Sequence, residues 1–298
     1  MAARARRLTT VLVLAVAAAI GVTGCEATPP ATTQAAQRIV SLVPTVTEML
    51  FAVGAGPQVV GVSSYDYFPP EVERLPKVGA LIDPDNERIL GLRPDLVIVY
   101  GSQSEAEARF KAAGIRTFSY RHDTAAAIAG TLDTIVAIGT LTGHEARARE
   151  VTTAMTRDLE AVRARVAGRA RPRTLLVMAR QPGTLRGLYV SGGVGFLHEM
   201  LEVAGGQNVF DDAKRESVQP SSETLLARAP EAILELHGYG DPAASGTDIG
   251  VWTALASIPA VRQSRVQVLS GDHVVVAGPR LGQGAEAMAR ALHPDAYQ

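Results

Sequence analysis

The 298-residue sequence has one cysteine, Cys25, so no disulfide can form within the chain and its stability must come from apolar cores. Aromatic residues make up only 5% of it, with a single tryptophan, Trp252. The six histidines are scattered, which argues against a dedicated zinc carrier. Neither sign of charge dominates: 29 Lys plus Arg stand against 30 Asp plus Glu, and without a basic excess a nucleic-acid partner is not expected. Catalytic signatures are also missing. His144-Glu145 and His198-Glu199 begin like zinc-protease motifs but lack the second histidine. Gly282-Gln283-Gly284 with Ala287 mimics a dinucleotide fingerprint, yet no strand leads directly into it and Pro279 intrudes. There is no phosphate loop and no Gly-x-Ser-x-Gly elbow, so no enzymatic activity and no cofactor are expected.

What is present begins at the N-terminus. Arg4, Arg6 and Arg7 precede an uncharged stretch from Leu8 to Val22. That is the layout of a secretory signal, and the stretch breaks at Gly21 and Gly24, short of the roughly 20 apolar residues a spanning helix needs. Val22-Thr23-Gly24-Cys25 resembles the lipobox of bacterial lipoproteins. The resemblance implies cleavage before Cys25 and lipidation of its thiol, which would hold the protein at a membrane surface. Residues 1–24 are thus read as a lipoprotein signal peptide and 25–37, rich in Ala, Thr and Pro, as a disordered tether. Cleavage removes three of the 29 basic residues and no acid, leaving the mature chain mildly acidic.

Beyond the tether, apolar runs of strand length alternate with helical patterns. Arg38 to Leu42, Val59 to Val62, Leu96 to Tyr100 and Arg116 to Ser119 read as strands. Thr45 to Val53, Asn86 to Leu92 and Glu105 to Ala113 read as the helices between them. The alternation predicts a doubly wound α/β layer. The second half repeats it, with strands at Thr174 to Ala179, Ala232 to Leu236 and Arg265 to Leu269 and helices at Gly195 to Ala204 and Glu223 to Ala229. Two motifs recur in order. Glu48-Met49-Leu50 before Val53-Gly54 matches Glu199-Met200-Leu201 before Ala204-Gly205. Glu87, Leu90 and Pro94-Asp95 match Glu223, Leu226 and Pro230-Glu231. Between the halves, Glu145 to Ala167 contains no Pro or Gly and carries an apolar stripe of Val151, Met155, Leu159, Val162 and Val166. One helix of about 30 Å is expected there, acting as a rigid spine. The fold class expected is therefore α/β, with two doubly wound lobes, at 38–142 and 171–298, joined by a linking helix at 143–170.

These residues resemble the solute-binding proteins of bacterial ABC importers for cobalamin, haem and ferric siderophores. The likeness rests on Arg38-Ile39-Val40-Ser41-Leu42 before Pro44 and Thr47-Glu48, on Leu201 to Gly206 before Asn208-Val209-Phe210, on Leu226 to Pro230 and on Pro279-Arg280. Gly61-Val62-Ser63-Ser64-Tyr65 before Pro69-Pro70 is most similar to the cobalamin-binding branch. The resemblance implies two lobes of the class III periplasmic binding protein type, a ligand cleft between them, and no chemistry on the ligand. It implies an ABC permease and ATPase as partners, a metal-containing small molecule as ligand, and a monomer facing the periplasm or cell exterior. Glu87 and Glu223 match the family's permease-docking acids, although both also sit where a carboxylate favours a helix N-terminus.

In open α/β sheets ligands lie beyond the carboxyl ends of the strands. The candidate ligand residues are accordingly Tyr65, Leu81, Ser102, Ser217, His237, Tyr239, Asp272 and His273, with His273 a potential axial ligand to a ligand-borne metal. The loops at Gly101 to Gln103, His122-Asp123, Ser191 to Gly193 and Lys214 to Ser217 belong to the same set. The sequence departs from the cobalamin pattern where tryptophans align with Leu81 and Ser217 and an arginine with Val276. Haem or a ferric siderophore is the alternative ligand, and a surface-anchored α/β enzyme of unrecognised type is the alternative of another class. Trp252 is expected to be buried.

Overall fold

The computed structural model describes residues 34–80, 83–121, 126–238 and 248–298. The signal peptide, Cys25 and most of the tether lie outside the described residues, as do Leu81, His122-Asp123 and Tyr239.

Two sheets carry the architecture. In the first half, β1 (Ile39–Ser41), β2 (Val59–Val62), β3 (Leu96–Tyr100) and β4 (Arg116–Tyr120) form an all-parallel sheet in the order β2-β1-β3-β4. Crossovers pass through α1 (Pro44–Ala52), α2 (Asn86–Gly91) and α3 (Ser104–Ala112). The central strand β3 reads as a continuous apolar run because both of its faces are covered, and Leu96 to Val99 are wholly buried. In the second half, β5 (Arg173–Ala179), β7 (Gln207–Asn208), β9 (Ala232–His237) and β10 (Val266–Ser270) are parallel in the equivalent order, β7-β5-β9-β10. Its crossovers include α6 (Phe196–Val203), α7 (Ser222–Arg228) and α8 (Pro259–Arg262). The internal repeat is therefore a repeat of topology. What breaks it is an antiparallel addition in the second lobe, where β6 (Tyr189–Ser191) and β8 (Ser217–Val218) extend the sheet beyond β5.

The linking helix is α5 (Glu145–Val166), and its apolar stripe of Val151, Met155, Leu159, Val162 and Val166 is buried as the spacing predicts. Two further helices were not legible in the sequence. α4 (Ala127–Thr142) follows β4, and α9 (Leu281–Leu292) follows β10, so the two are also equivalent. Both contain glycines that lower helix propensity. In α9 they serve close packing. A Cβ on Gly282 would come within 2.9 Å of Asp158 on α5, and one on Gly284 would collide with the His273 carbonyl and lie 2.7 Å from the Met200 sulfur.

The largest apolar cluster draws on α1, α4, α5, α6 and α9 together, from Val46 and Ile135 through Met155 to Met200 and Met288. It runs through both lobes. The outer face of each sheet has its own smaller cluster, around Val97 and Phe110 in one lobe and Ile233 and Trp252 in the other. Trp252 is buried, and its indole N–H donates to Glu235 at 2.7 Å.

Candidate ligand cleft

A cavity of about 380 Å³ opens between the lobes, and its walls are the segments at or just past the carboxyl ends of the strands. Pro44 and Glu48 follow β1, and Tyr65, Tyr67 and Phe68 follow β2. From the other lobe come Met178 on β5, Leu236 and Gly238 at the end of β9, and Asp272, Val275 and Val276 after β10. Aromatic and aliphatic surface dominates, and among the described residues no basic side chain lines the cavity. Tyr65 and Tyr67 are about half exposed, which leaves their rings available to a ligand.

The wall is held by a pair of groups that sequence reasoning did not bring together. Arg280 donates to both carboxylate oxygens of Glu48, at 3.0 and 2.6 Å, across the two lobes. Its guanidinium also lies 3.7 Å from the centre of the Phe68 ring, a cation–π contact. Burial raises the Glu48 pKa above the ordinary carboxylate range, the Arg280 bonds and charge pull it back in part, and nearby Asp272 adds to the rise. Asp66, between the two cleft tyrosines, is 1% exposed, and burial pushes its carboxyl up to about 6. The Thr47 and Ser63 hydroxyls and the Lys77 charge offset that only in part. Thr47 donates to Ser41, Ser63 accepts from the Tyr65 amide, and the Lys77 ammonium donates to the Asp66 main-chain carbonyl. The Asp66 carboxylate oxygens are left without a completed hydrogen bond.

Of the residues expected from the sequence, Tyr65 and Asp272 meet in this cleft. His237 does not line it. Its ring is buried, with Nε2 3.5 Å from Glu235, in a network where Glu235 also accepts from Arg180 at 2.8 and 3.1 Å. A fully buried carboxylate needs such partners, and they turn His237 into the lobe interior. His273 borders the cleft through its neighbour Asp272, and burial together with the Arg280 charge lowers its pKa. Ser217 lies exposed on β8. Ser102 lines a separate cavity of about 520 Å³ with Asp83, Asn86 and Arg109. Burial raises the pKa of Tyr100 and, with the neighbouring Tyr100 charge, carries Tyr120 to about 12; Glu216, beside Ser217 in the other lobe, adds to both. The two phenol rings pack edge to face at 5.9 Å.

Glu87 and Glu223 occupy equivalent exposed positions in the first turns of α2 and α7. Neither is the N-cap. Asp85 accepts from the Arg88 amide and Ser221 from the Thr224 amide. The Ser221 hydroxyl also holds the Glu223 carboxyl below its usual range. Three residues on, at matching places, Leu90 and Leu226 are among the few exposed large apolar side chains.

Two lobes of matching topology on one spine helix, with an apolar cleft at their strand ends, define a solute-binding protein. The chain belongs to the periplasmic binding protein family, whose sequence profile matches residues 39–272. It is a binding protein of the kind that serves ABC importers, and not an enzyme. It is 31% identical over 267 residues to the vitamin B12-binding protein of Salmonella typhimurium, covering 89% of this chain and 93% of the relative. It is 30% identical over 269 residues to the uncharacterized ABC transporter substrate-binding lipoprotein YvrC of Bacillus subtilis, covering 88% and 82%. Among solved structures, the periplasmic heme-binding protein RhuT of Roseiflexus superposes with a TM-score of 0.74 at 28% identity, covering 88% and 99%.

Proposed function

We propose that this protein captures a corrinoid, cobalamin, outside the cytoplasmic membrane and delivers it to the permease of an ABC importer. The observation that carries the reading is the chemistry of the cleft wall. Tyr65, Tyr67 and Phe68 offer ring surface to a flat macrocycle, and Met178, Leu236, Val275 and Val276 offer aliphatic surface. The charges that line it are the acids Glu48 and Asp272. A haem presents two carboxylates and a ferric siderophore complex is commonly anionic, so either would call for cations that the described wall does not supply. A corrinoid with amide-bearing edges suits it better. The vitamin B12-binding relative supports the same ligand.

Delivery uses Glu87 and Glu223, one exposed carboxylate on each lobe at matching positions, each beside an exposed leucine. Cys25 carries the lipid, and the tether keeps the binding protein in the plane of its permease. The lobes correspond to residues 38–142 and 171–298, and the protein works as a monomer.

Absorbance of the purified protein after incubation with cobalamin, haem or a ferric siderophore, followed by desalting, tests the ligand. A retained corrinoid spectrum is expected, and a retained haem or siderophore spectrum in its place would overturn the assignment. Joint Glu87→Arg and Glu223→Arg substitution should abolish uptake in cells while leaving ligand binding in solution unchanged. Uptake that persists would remove the docking role.

A further inference from the structure

The Glu-Met-Leu motif occurs once in each half of the chain, at Glu48 on α1 and Glu199 on α6. Each glutamate leaves its own lobe. Glu48 accepts two hydrogen bonds from Arg280, the residue at the N-cap position of α9. Glu199 accepts from the main-chain amides of Ala127 and Ile128, at 2.7 and 2.9 Å, in the first turn of α4. α4 and α9 are themselves equivalent, each following the last strand of its sheet. So each lobe sends one carboxylate, from matching helices, to the N-terminal end of the matching helix in the other lobe.

The chemistry at the two ends differs. A helix N-terminus leaves its first amides unpaired and carries partial positive charge. α4 has no capping side chain from its own N-cap residue, Ala126, and Glu199 satisfies two of those amides directly. At α9 the carboxylate meets a guanidinium, and that guanidinium rests on Phe68, which lines the cleft. Glu48 itself lines the cleft, whereas Glu199 lines a different cavity with Arg163, Val166 and Gly205.

We propose that Glu48 and Glu199 are a matched pair of cross-lobe clasps that set the angle between the lobes, and that the Glu48–Arg280 clasp is also a positioning element for the ligand cleft through Phe68. The clasps themselves do not depend on the ligand; the positioning role rests on the solute-binding reading above. The Glu199 clasp ends on backbone and acts as the fixed side. The Glu48 clasp joins a carboxylate of the cleft wall to a guanidinium behind it.

Residue-resolved amide exchange by NMR on the purified chain tests this, with circular dichroism and thermal melts to confirm folding. Glu199→Ala should speed exchange of the Ala127 and Ile128 amides, in the opposite lobe, at least tenfold. Glu199→Gln, which keeps one acceptor, should recover part of the protection. Glu48→Gln and the milder Arg280→Lys should leave those amides unchanged and speed exchange across Tyr65–Phe68. In cobalamin titrations both should weaken binding about tenfold, and Phe68→Leu should add little more in the Arg280→Lys background. Opposite-lobe amides that do not respond to Glu199→Ala would overturn the clasp pair. Faster exchange across Tyr65–Phe68 with undiminished affinity would overturn the positioning role. If the wild-type chain binds no cobalamin yet shows the exchange pattern, the clasps stand and the ligand assignment fails.

Discussion

Removing the Asp66 carboxylate should make the protein more stable at neutral pH and leave it unchanged in acid. Asp66 is 1% exposed, and its carboxyl is raised from 3.8 to about 6, chiefly by burial. Well below 3.8, near pH 2, the group is protonated in the folded and unfolded chains alike and contributes no difference. Between about pH 4 and pH 6 the unfolded chain releases the proton while the folded chain retains it, so stability falls as pH rises. Above pH 6 both forms are ionised and the cost is complete. A rise of about two units at 1.36 kcal/mol per unit makes that cost about 3 kcal/mol. Asp66→Asn keeps the shape and removes the charge. Urea unfolding of the two proteins from pH 4 to pH 7.5 should give a difference that grows by about 2.4 kcal/mol in favour of the variant, most of it between pH 4.5 and 6.5. Glu48, raised in the same direction, moves both proteins together and cancels in the comparison. A difference that stays flat across this range would refute the reasoning.

Other substitutions probe the cleft and its supports. Tyr65→Ala should weaken cobalamin binding about tenfold, equivalent to about 1.4 kcal/mol, in a fluorescence titration, while an unchanged Kd would remove Tyr65 from the contact set. Glu235→Gln removes the carboxylate charge that pairs with Arg180 in the lobe interior and should cost about 3 kcal/mol in denaturant unfolding; a loss under 1 kcal/mol would mean that the charge pair carries little of the stability. Gly284→Ala places a methyl against the His273 carbonyl and should lower the melting temperature by several degrees, whereas Gly91→Ala, in open space on α2, should not.

The sequence discloses elements where a local pattern is strong. Strand β3 is an unbroken apolar run after Pro-Asp, β9 opens on the apolar Ala232-Ile233-Leu234 after Pro-Glu, and α5 keeps one clean stripe over 22 residues without Pro or Gly. α4 escapes because its turns are rich in Thr, Ile and Gly, which blur the contrast between its faces. α9 escapes because its glycines, Gly282 and Gly284, imitate a nucleotide loop while serving helix packing. In the cleft, Tyr65 and Asp272 were legible because both follow strands in recognisable motifs. The Glu48–Arg280 pair was not, since its partners stand 232 residues apart and no local rule connects them. His237 is the opposite case. Its place at a strand end suggested the cleft, but a neighbouring buried acid, Glu235, took the side chain inward.

The apolar cluster that passes through α1, α4, α5, α6 and α9 belongs to neither lobe alone. On the proposed reading, such a molecule would act as a caliper with its jaws already set. Little chain entropy would be lost when a ligand filled the gap, and little of the population would be held in a form too open to bind. Discrimination among ligands would then come from how well each matches a fixed width, so a macrocycle too thick for the jaws would be refused by the spine helix as much as by any residue it touched.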